Sequence, residues 1–289
     1  MSFAEFIDTA WAEHGDQPHA VAERIEGALA LPASVLEVRQ LAGLITHVHG
    51  EHLARWQAGI ELLETLRTQC RAASDPLADA ALSRSIAVLQ HADHGQVDLS
   101  VFSAEDRISI LAMAASALQG NGQLTRSIQT YREALQRAQA GLPDGSPALR
   151  ALAVSGNNLA ASLEEKSERD AWETAGMVEA AEAALIYWRR AGGWLEEERA
   201  EYRLARSLLC AALPDRAVDH ARNCVAICIA NSAPPVENFF ACAAMAMALR
   251  AGGDTEEFGR ARTEALEWFS RTGENEKSWC KDDLAELND

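Results

Sequence analysis

The stretch "LAMAASALQGNGQLTRSIQTYREALQRA", residues 111–138, decides the fold. Its apolar residues recur at helical spacing, and a Gly-polar turn divides it into two segments. Each segment sets small residues beside a large one, so two helices can approach closely while the large side chain fills the remaining space. The stretch therefore predicts a tightly packed pair of antiparallel helices. The pattern is carried by Ala115, Leu118, Gly122, Ser127, Tyr131 and Ala134.

The rest of the chain has the same helical character. Ala, Leu, Glu, Gln and Arg dominate, and the alternation typical of strands is nearly absent. Short turns between consecutive helices favour antiparallel neighbours, so we expect a series of helical hairpins. The predicted helices lie near 2–14, 18–30, 33–48, 51–72, 75–93, 104–119, 123–140, 147–165, 168–191, 195–212, 214–231, 235–251, 255–271 and 276–286.

The small-residue pattern repeats along the chain. Ala115, Ala160, Ala205 and Ala246 hold equivalent positions, at spacings of 45, 45 and 41 residues. Residues 111–138 resemble one tetratricopeptide repeat (TPR), although the period exceeds the roughly 34 residues of a standard unit. Residues 33–272 resemble the longer TPR-like arrays of bacterial regulators, and HEAT-type units also reach this length. The resemblance implies an all-α fold, a right-handed superhelix (α-solenoid) of antiparallel hairpins.

The repeat loses its phase once. Val88 belongs to an earlier pair of equivalent positions, yet Ala115 follows it by only 27 residues. The slip falls in residues 94–103, which predicts a kink or a junction there. We therefore expect N-terminal helical hairpins at 1–94 and a C-terminal TPR-like array with a capping helix at 95–289. One continuous solenoid is the alternative.

The resemblance also suggests where a ligand would bind. In TPR-like arrays the first helix of each pair lines a concave groove. Arg199, Tyr202 and Arg206 share one helical face and could hold a carboxylate or phosphate. The alternative is a charged helix, "EEERAEYRLAR" (196–206), whose Glu and Arg side chains pair locally. The groove candidates are Asn157, Arg199, Tyr202, Arg206, Phe240 and Met247.

The stretch "HVHGEH", residues 47–52, has the composition of a metal site. A second His-Gly pair lies 45 residues later at 94–95, so we interpret 49–50 as a repeated turn between helices, with Gly closing the first helix. A metal site at His49 and His52 is the alternative. We predict no metal and no cofactor.

Charge and motifs narrow the class of function. The net charge of −17 disfavours nucleic acid and anionic membranes as partners. The GxSxG, GxxxxGK[ST], HExxH and GxGxxG motifs are missing, so we predict that the chain is not an enzyme. Without an export signal we expect a cytoplasmic protein, and the Ala- and Arg-rich composition suggests a bacterial source.

These observations favour a scaffold that binds a protein or peptide, with an acidic group as one feature that the groove could recognise. A peptide-sensing regulatory protein with TPR-like repeats is the first alternative. An all-helical enzyme that uses the histidine turn or the Arg-Tyr-Arg face is the second.

Overall fold

A computed structural model describes residues 2–288 of the chain. Those residues form fourteen α-helices and no β-strand, which confirms the all-α prediction. Within the same residues, no helix is both long and apolar enough to cross a membrane. The helices are α1 Phe3–Glu13, α2 Pro18–Ala28, α3 Val35–Ile45, α4 Trp56–Gln69, α5 Pro76–His94, α6 Ala104–Gly120, α7 Leu124–Ala138, α8 Pro147–Glu164, α9 Ala171–Ala191, α10 Trp194–Cys210, α11 Pro214–Ala230, α12 Pro235–Gly252, α13 Thr255–Arg271 and α14 Lys281–Asn288.

Local sequence signals explain many helix ends. Asp170 and Glu173 form a capping box at the start of α9, which satisfies backbone N–H groups that a helix leaves unpaired. Pro214 occupies the first position of α11, where no N–H is needed. Gly95 and Gly253 end α5 and α12 in the left-handed conformation, with φ of 72° and 84°, which favours glycine.

The helix pair α6–α7 packs as residues 111–138 predict. Ala115, Ser127 and Tyr131 are all buried. The Ser127 hydroxyl donates to the Ala115 carbonyl at 2.7 Å, which links α7 to α6 across their interface. The Tyr131 hydroxyl donates to the Leu152 carbonyl of α8 at 2.8 Å, so the buried ring also has its polar atom satisfied.

The chain divides into two compact units, Met1–Ser155 and Gly156–Asp289. The division falls inside α8. Between α5 and α6 the chain makes a 3₁₀ turn, Leu99–Val101, after the glycine that caps α5. The junction expected at 94–103 stays a prediction.

In the second unit, small side chains and one buried carboxylate join the helices. Ala205 of α10, Ala221 of α11 and Ala244 of α12 form a fully buried cluster. Glu201 of α10 is also fully buried, and it accepts from Arg189 of α9 and bonds to His220 of α11, each at 2.6 Å. Because both oxygens have charged or hydrogen-bonding partners, this carboxylate can be buried beside an alanine-rich core.

The histidine stretch departs from the sequence prediction. Thr46–His52 form a π-helix that continues directly from α3, so the expected turn at His49-Gly50 is wrong. Gly50 lies inside this π-helix, and the chain turns later, at Ala54, which has a φ of 49°. The second His-Gly pair does end a helix, because Gly95 caps α5.

Side chains outside the π-helix stabilise it. The Gly50 carbonyl accepts from the side-chain amide of Asn121 at 2.7 Å and from the indole N–H of Trp56 at 3.2 Å. At Gly120 a Cβ atom would lie 2.3 Å from the Glu51 carbonyl oxygen, so only glycine allows α6 to approach the π-helix this closely.

We expect Gly120→Ala to lower the free energy of unfolding by about 2 kcal/mol or more, because the new methyl group meets backbone rather than a movable side chain. Gly259→Ala in α13 is the matched control, since its Cβ would meet nothing within 4 Å. That control should be neutral or stabilising by up to about 1 kcal/mol. Urea unfolding of both variants measures the difference, and equal stabilities would contradict the close approach.

Candidate functional site

The second unit contains a cavity of about 550 Å³. Its walls come from α8, α10 and α12 and from the turn segment that precedes α14. Both apolar rings and charged side chains border it, so it could hold an apolar group and a polar group of one ligand. The lining residues are Asn157, Glu198, Arg199, Tyr202, Arg203, Val236, Glu237, Phe240 and Trp279.

Four of the six predicted groove residues line this cavity. Asn157 comes from α8, Arg199 and Tyr202 from α10, and Phe240 from α12. The rings of Tyr202 and Phe240 meet edge to face, with their centroids 5.6 Å apart. Helical spacing on α10 places Arg199 and Tyr202 one turn apart, as the sequence predicts.

The other two predicted residues, Arg206 and Met247, contact the C-terminal helix or each other instead. Arg206 donates to both carboxylate oxygens of Glu286 in α14, at 2.7 and 2.6 Å. It also approaches the Met247 sulfur at 2.7 Å, and Met247 is only 3% exposed. The last helix begins at Lys281, five residues later than predicted, and residues 274–280 are turns.

Tyr202 joins the cavity to α14. Its hydroxyl donates to Asp283 at 2.6 Å. Burial, and then the neighbouring Asp283 charge, raise the pKa of Tyr202 well above its ordinary value, so it remains a neutral donor. Burial also raises the pKa of Asp283. The α10 face therefore binds two carboxyl groups of the chain's own last helix, Asp283 and Glu286.

The arginines of α10 pair with neighbouring helices. Arg199 binds Glu237 of α12, and Arg203 binds Glu164 of α8. The Glu164 carboxylate also accepts from the Ser207 hydroxyl at 2.5 Å. These contacts differ from the local Glu–Arg pairing offered as the alternative for 196–206, because each partner lies on another element.

Glu198 is one of five lining residues that the sequence analysis did not predict, and it is the most buried of the charged ones. It is 1% exposed, and its Oε1 atom has no hydrogen-bond partner. Burial, together with the nearby Glu237 charge, raises its pKa to about 8. A signal was present, since Glu198 and Glu201 lie seven and four residues before the buried Ala205 and so share its helical face.

The π-helix does not bring His49 and His52 together; it places His52 beside His47. His49 is 4% exposed, and neither of its ring nitrogens has a hydrogen-bond partner. Burial, and then the charge of Arg55, lower its pKa to about 4, so the ring is neutral. His52 is exposed, and its Nε2 lies 3.1 Å from Nε2 of His47.

We expect Glu198→Gln to remove a pH-dependent loss of stability. As pH rises from about 4.5 to 8, the unfolded state ionises this carboxyl while the folded state keeps its proton, so folding weakens over that window. The free energy of unfolding of the variant, relative to wild type, should therefore rise by about 2 kcal/mol or more as pH increases from 5 to 8. Urea unfolding at several pH values measures this. Glu256→Gln, at an 85% exposed side chain, is the control, and parallel curves for wild type and Glu198→Gln would refute the expectation.

Glu286→Gln should lower the free energy of unfolding, whereas Glu198→Gln should raise it. The Arg206 hydrogen bonds lower the pKa of Glu286, so its contribution is present near neutral pH and is lost as pH falls through the depressed value. We expect a loss of about 1 kcal/mol at pH 7, because the Glu286 side chain is 43% exposed and partly screened by water. The matched control is Glu274→Gln, whose 86% exposed side chain pairs with Lys277. Equal melting temperatures for the two variants would exclude this role for α14.

Comparison with solved structures supports the same fold. The TPR-like repeats of a Podosopora anserina protein assigned as a kinesin light chain match with a TM-score of 0.51 and 17% identity, over 83% of this chain and 97% of that one. A single-substitution variant of those repeats matches with a TM-score of 0.50 and 16% identity, over 81% and 93%. No family model matches the sequence. No curated protein matches it either.

The chain thus has the fold of TPR-like helical-repeat proteins, an all-α solenoid class built from antiparallel hairpins. This confirms the class of protein that residues 111–138 predict.

Proposed function

We propose that the chain is a non-catalytic scaffold that binds a peptide segment of a partner protein in the cavity of the second unit. One observation carries the proposal: a cavity of about 550 Å³ is lined by Asn157, Arg199, Tyr202 and Phe240, which are four of the residues expected on the binding face of the array. A space of this size lies within the roughly 300–1,000 Å³ range of ligand pockets and accepts one or two side chains of a bound segment.

The lining suggests the chemistry of the segment. Val236, Phe240 and the 62% exposed Trp279 offer apolar surface. The Arg199 side chain is 58% exposed. Its Nε and Nη2 atoms, and not Nη1, donate the hydrogen bonds to Glu237. An apolar side chain near a carboxylate is therefore the ligand that we propose, with the carboxylate at Arg199.

The last helix supports an acidic partner. Asp283 and Glu286 of α14 bind Tyr202 and Arg206, so the face of α10 already recognises carboxyl groups on a helix. A partner segment of the same chemistry would extend this recognition one turn further along α10, to Arg199.

A random peptide library selected on the wild-type protein tests the proposal. We expect the selected peptides to combine an apolar residue with Asp or Glu, and Arg199→Ala and Trp279→Ala each to weaken their binding about tenfold or more. Fluorescence anisotropy with a labelled peptide gives the affinities, and thermal melts establish that the variants remain folded.

Arg222→Ala is the matched control. Arg222 is an exposed arginine of α11 that pairs with Asp219, and it does not line the cavity. Its removal changes the net charge as Arg199→Ala does, so its binding should equal that of wild type. If no peptide is selected, or if both arginine variants bind like wild type, the proposal is wrong.

The position of α14 favours a peptide-sensing regulatory protein as the second candidate. A ligand that reached Tyr202 and Arg206 would compete with Asp283 and Glu286. Hydrogen exchange of residues 281–288 distinguishes the two candidates. Faster exchange after the selected peptide is added would favour displacement of α14, whereas unchanged exchange would favour a scaffold with a fixed groove.

A further inference from the structure

We propose that His14, His47 and His52 form a binding site for a divalent transition-metal ion of the zinc type in the first unit. The proposal is independent of the peptide site, since every residue involved belongs to residues 1–155. Each of the three histidines offers one ring nitrogen, and these nitrogens all lie within 4.8 Å of one another.

The π-helix brings two of the ligands together. In an α-helix, neighbours on one face are three or four residues apart, whereas the π-helix pairs residues five apart. His47 and His52 are five apart, and their Nε2 atoms are separated by 3.1 Å. Two nitrogens on one tetrahedral zinc ion lie about 3.3 Å apart, given Zn–N distances of about 2.0–2.1 Å. This pair is therefore already spaced as metal ligands.

Hydrogen bonds orient the remaining nitrogens. The Nδ1 atom of His14 lies 2.7 Å from the Trp11 carbonyl oxygen, and such a bond places a proton on Nδ1. The Nδ1 atom of His47 lies 3.1 Å from a carboxylate oxygen of Glu51. In both rings Nε2 is then left with its lone pair, which is the arrangement that carboxylate and carbonyl groups impose on metal-binding histidines.

The surroundings leave the cluster partly covered and partly open to solvent. The indole of Trp11 contacts the rings of His14 and His47 at centroid distances of 5.0 and 5.2 Å and covers one side of the cluster. His52 is exposed, so an ion can enter from solvent, and water can complete a tetrahedral set.

A bound ion would join two elements that are distant in sequence. His14 caps the C-terminal end of α1, while His47 and His52 belong to the π-helix after α3. Three imidazoles suit zinc or its neighbours in the first transition series rather than magnesium or calcium, which prefer oxygen ligands. The ion would therefore fasten the first helix to the irregular helix.

Titration calorimetry with zinc chloride, on the full chain in a non-thiol reductant, tests the site. We expect one equivalent to bind wild type, and His47→Ala or His52→Ala to weaken binding by about 100-fold or more, because loss of even a supporting group costs metal sites about 10- to 100-fold. Glu51→Gln should weaken it about tenfold. Saturating zinc should raise the melting temperature of wild type but not of the ligand variants.

His94→Ala is the matched control, because His94 also precedes a glycine but lies outside the cluster. Cobalt(II) gives a second readout, since tetrahedral nitrogen ligation produces strong visible absorption that the His52→Ala variant should lose. If wild type binds no zinc, the cluster is only a set of hydrogen-bonded imidazoles. If both His47→Ala and His52→Ala bind zinc like wild type, the ion lies elsewhere. Either result overturns the proposal.

Discussion

The close approach of neighbouring helices across small side chains is the constraint on which this structure depends. Ala115 and Ser127 are buried in the first unit, and Ala205, Ala221 and Ala244 are buried together in the second. Their small size lets neighbouring helices approach closely. Such contacts are short enough for polar side chains beside them to reach across. The hydroxyl of Ser127 meets a carbonyl of the facing helix, so the same small residue that permits the approach also fixes it.

Charged residues of α10 act within that close packing. Glu201 has partners on both neighbouring helices, so its desolvation is offset by hydrogen bonds with opposite or polar groups. Glu198, one turn earlier, has one oxygen without a hydrogen-bond partner. Burial, and then the like charge of Glu237, raise its pKa to about 8. Glu198 borders the cavity, and groups with strongly shifted pKa values cluster at functional sites.

Helical periodicity predicted the regular elements closely, because apolar spacing and turn residues are local signals. The bounds of α11 and α13 agree within one residue, and four of six groove candidates share a cavity. The sequence did not place Arg206 against Glu286, since that contact joins residues 80 apart in the chain. It also missed the late start of α14. Local pattern indicates which face of a helix is polar, but it does not indicate which distant segment covers that face.

The π-helix explains why helical spacing predicted the wrong pair of neighbouring histidines. With α-helical spacing, His47 and His52 do not meet, and His49 is the expected neighbour of His52. The i→i+5 hydrogen bonding of the π-helix changes that register. Asn121 and Trp56 help to hold the π-helix, since both donate to the Gly50 carbonyl. A side chain some 70 residues downstream thus helps to decide which imidazoles share a surface. Irregular turns of this kind are frequent at functional sites, and here the irregularity is what creates the cluster of nitrogens that a metal ion would need.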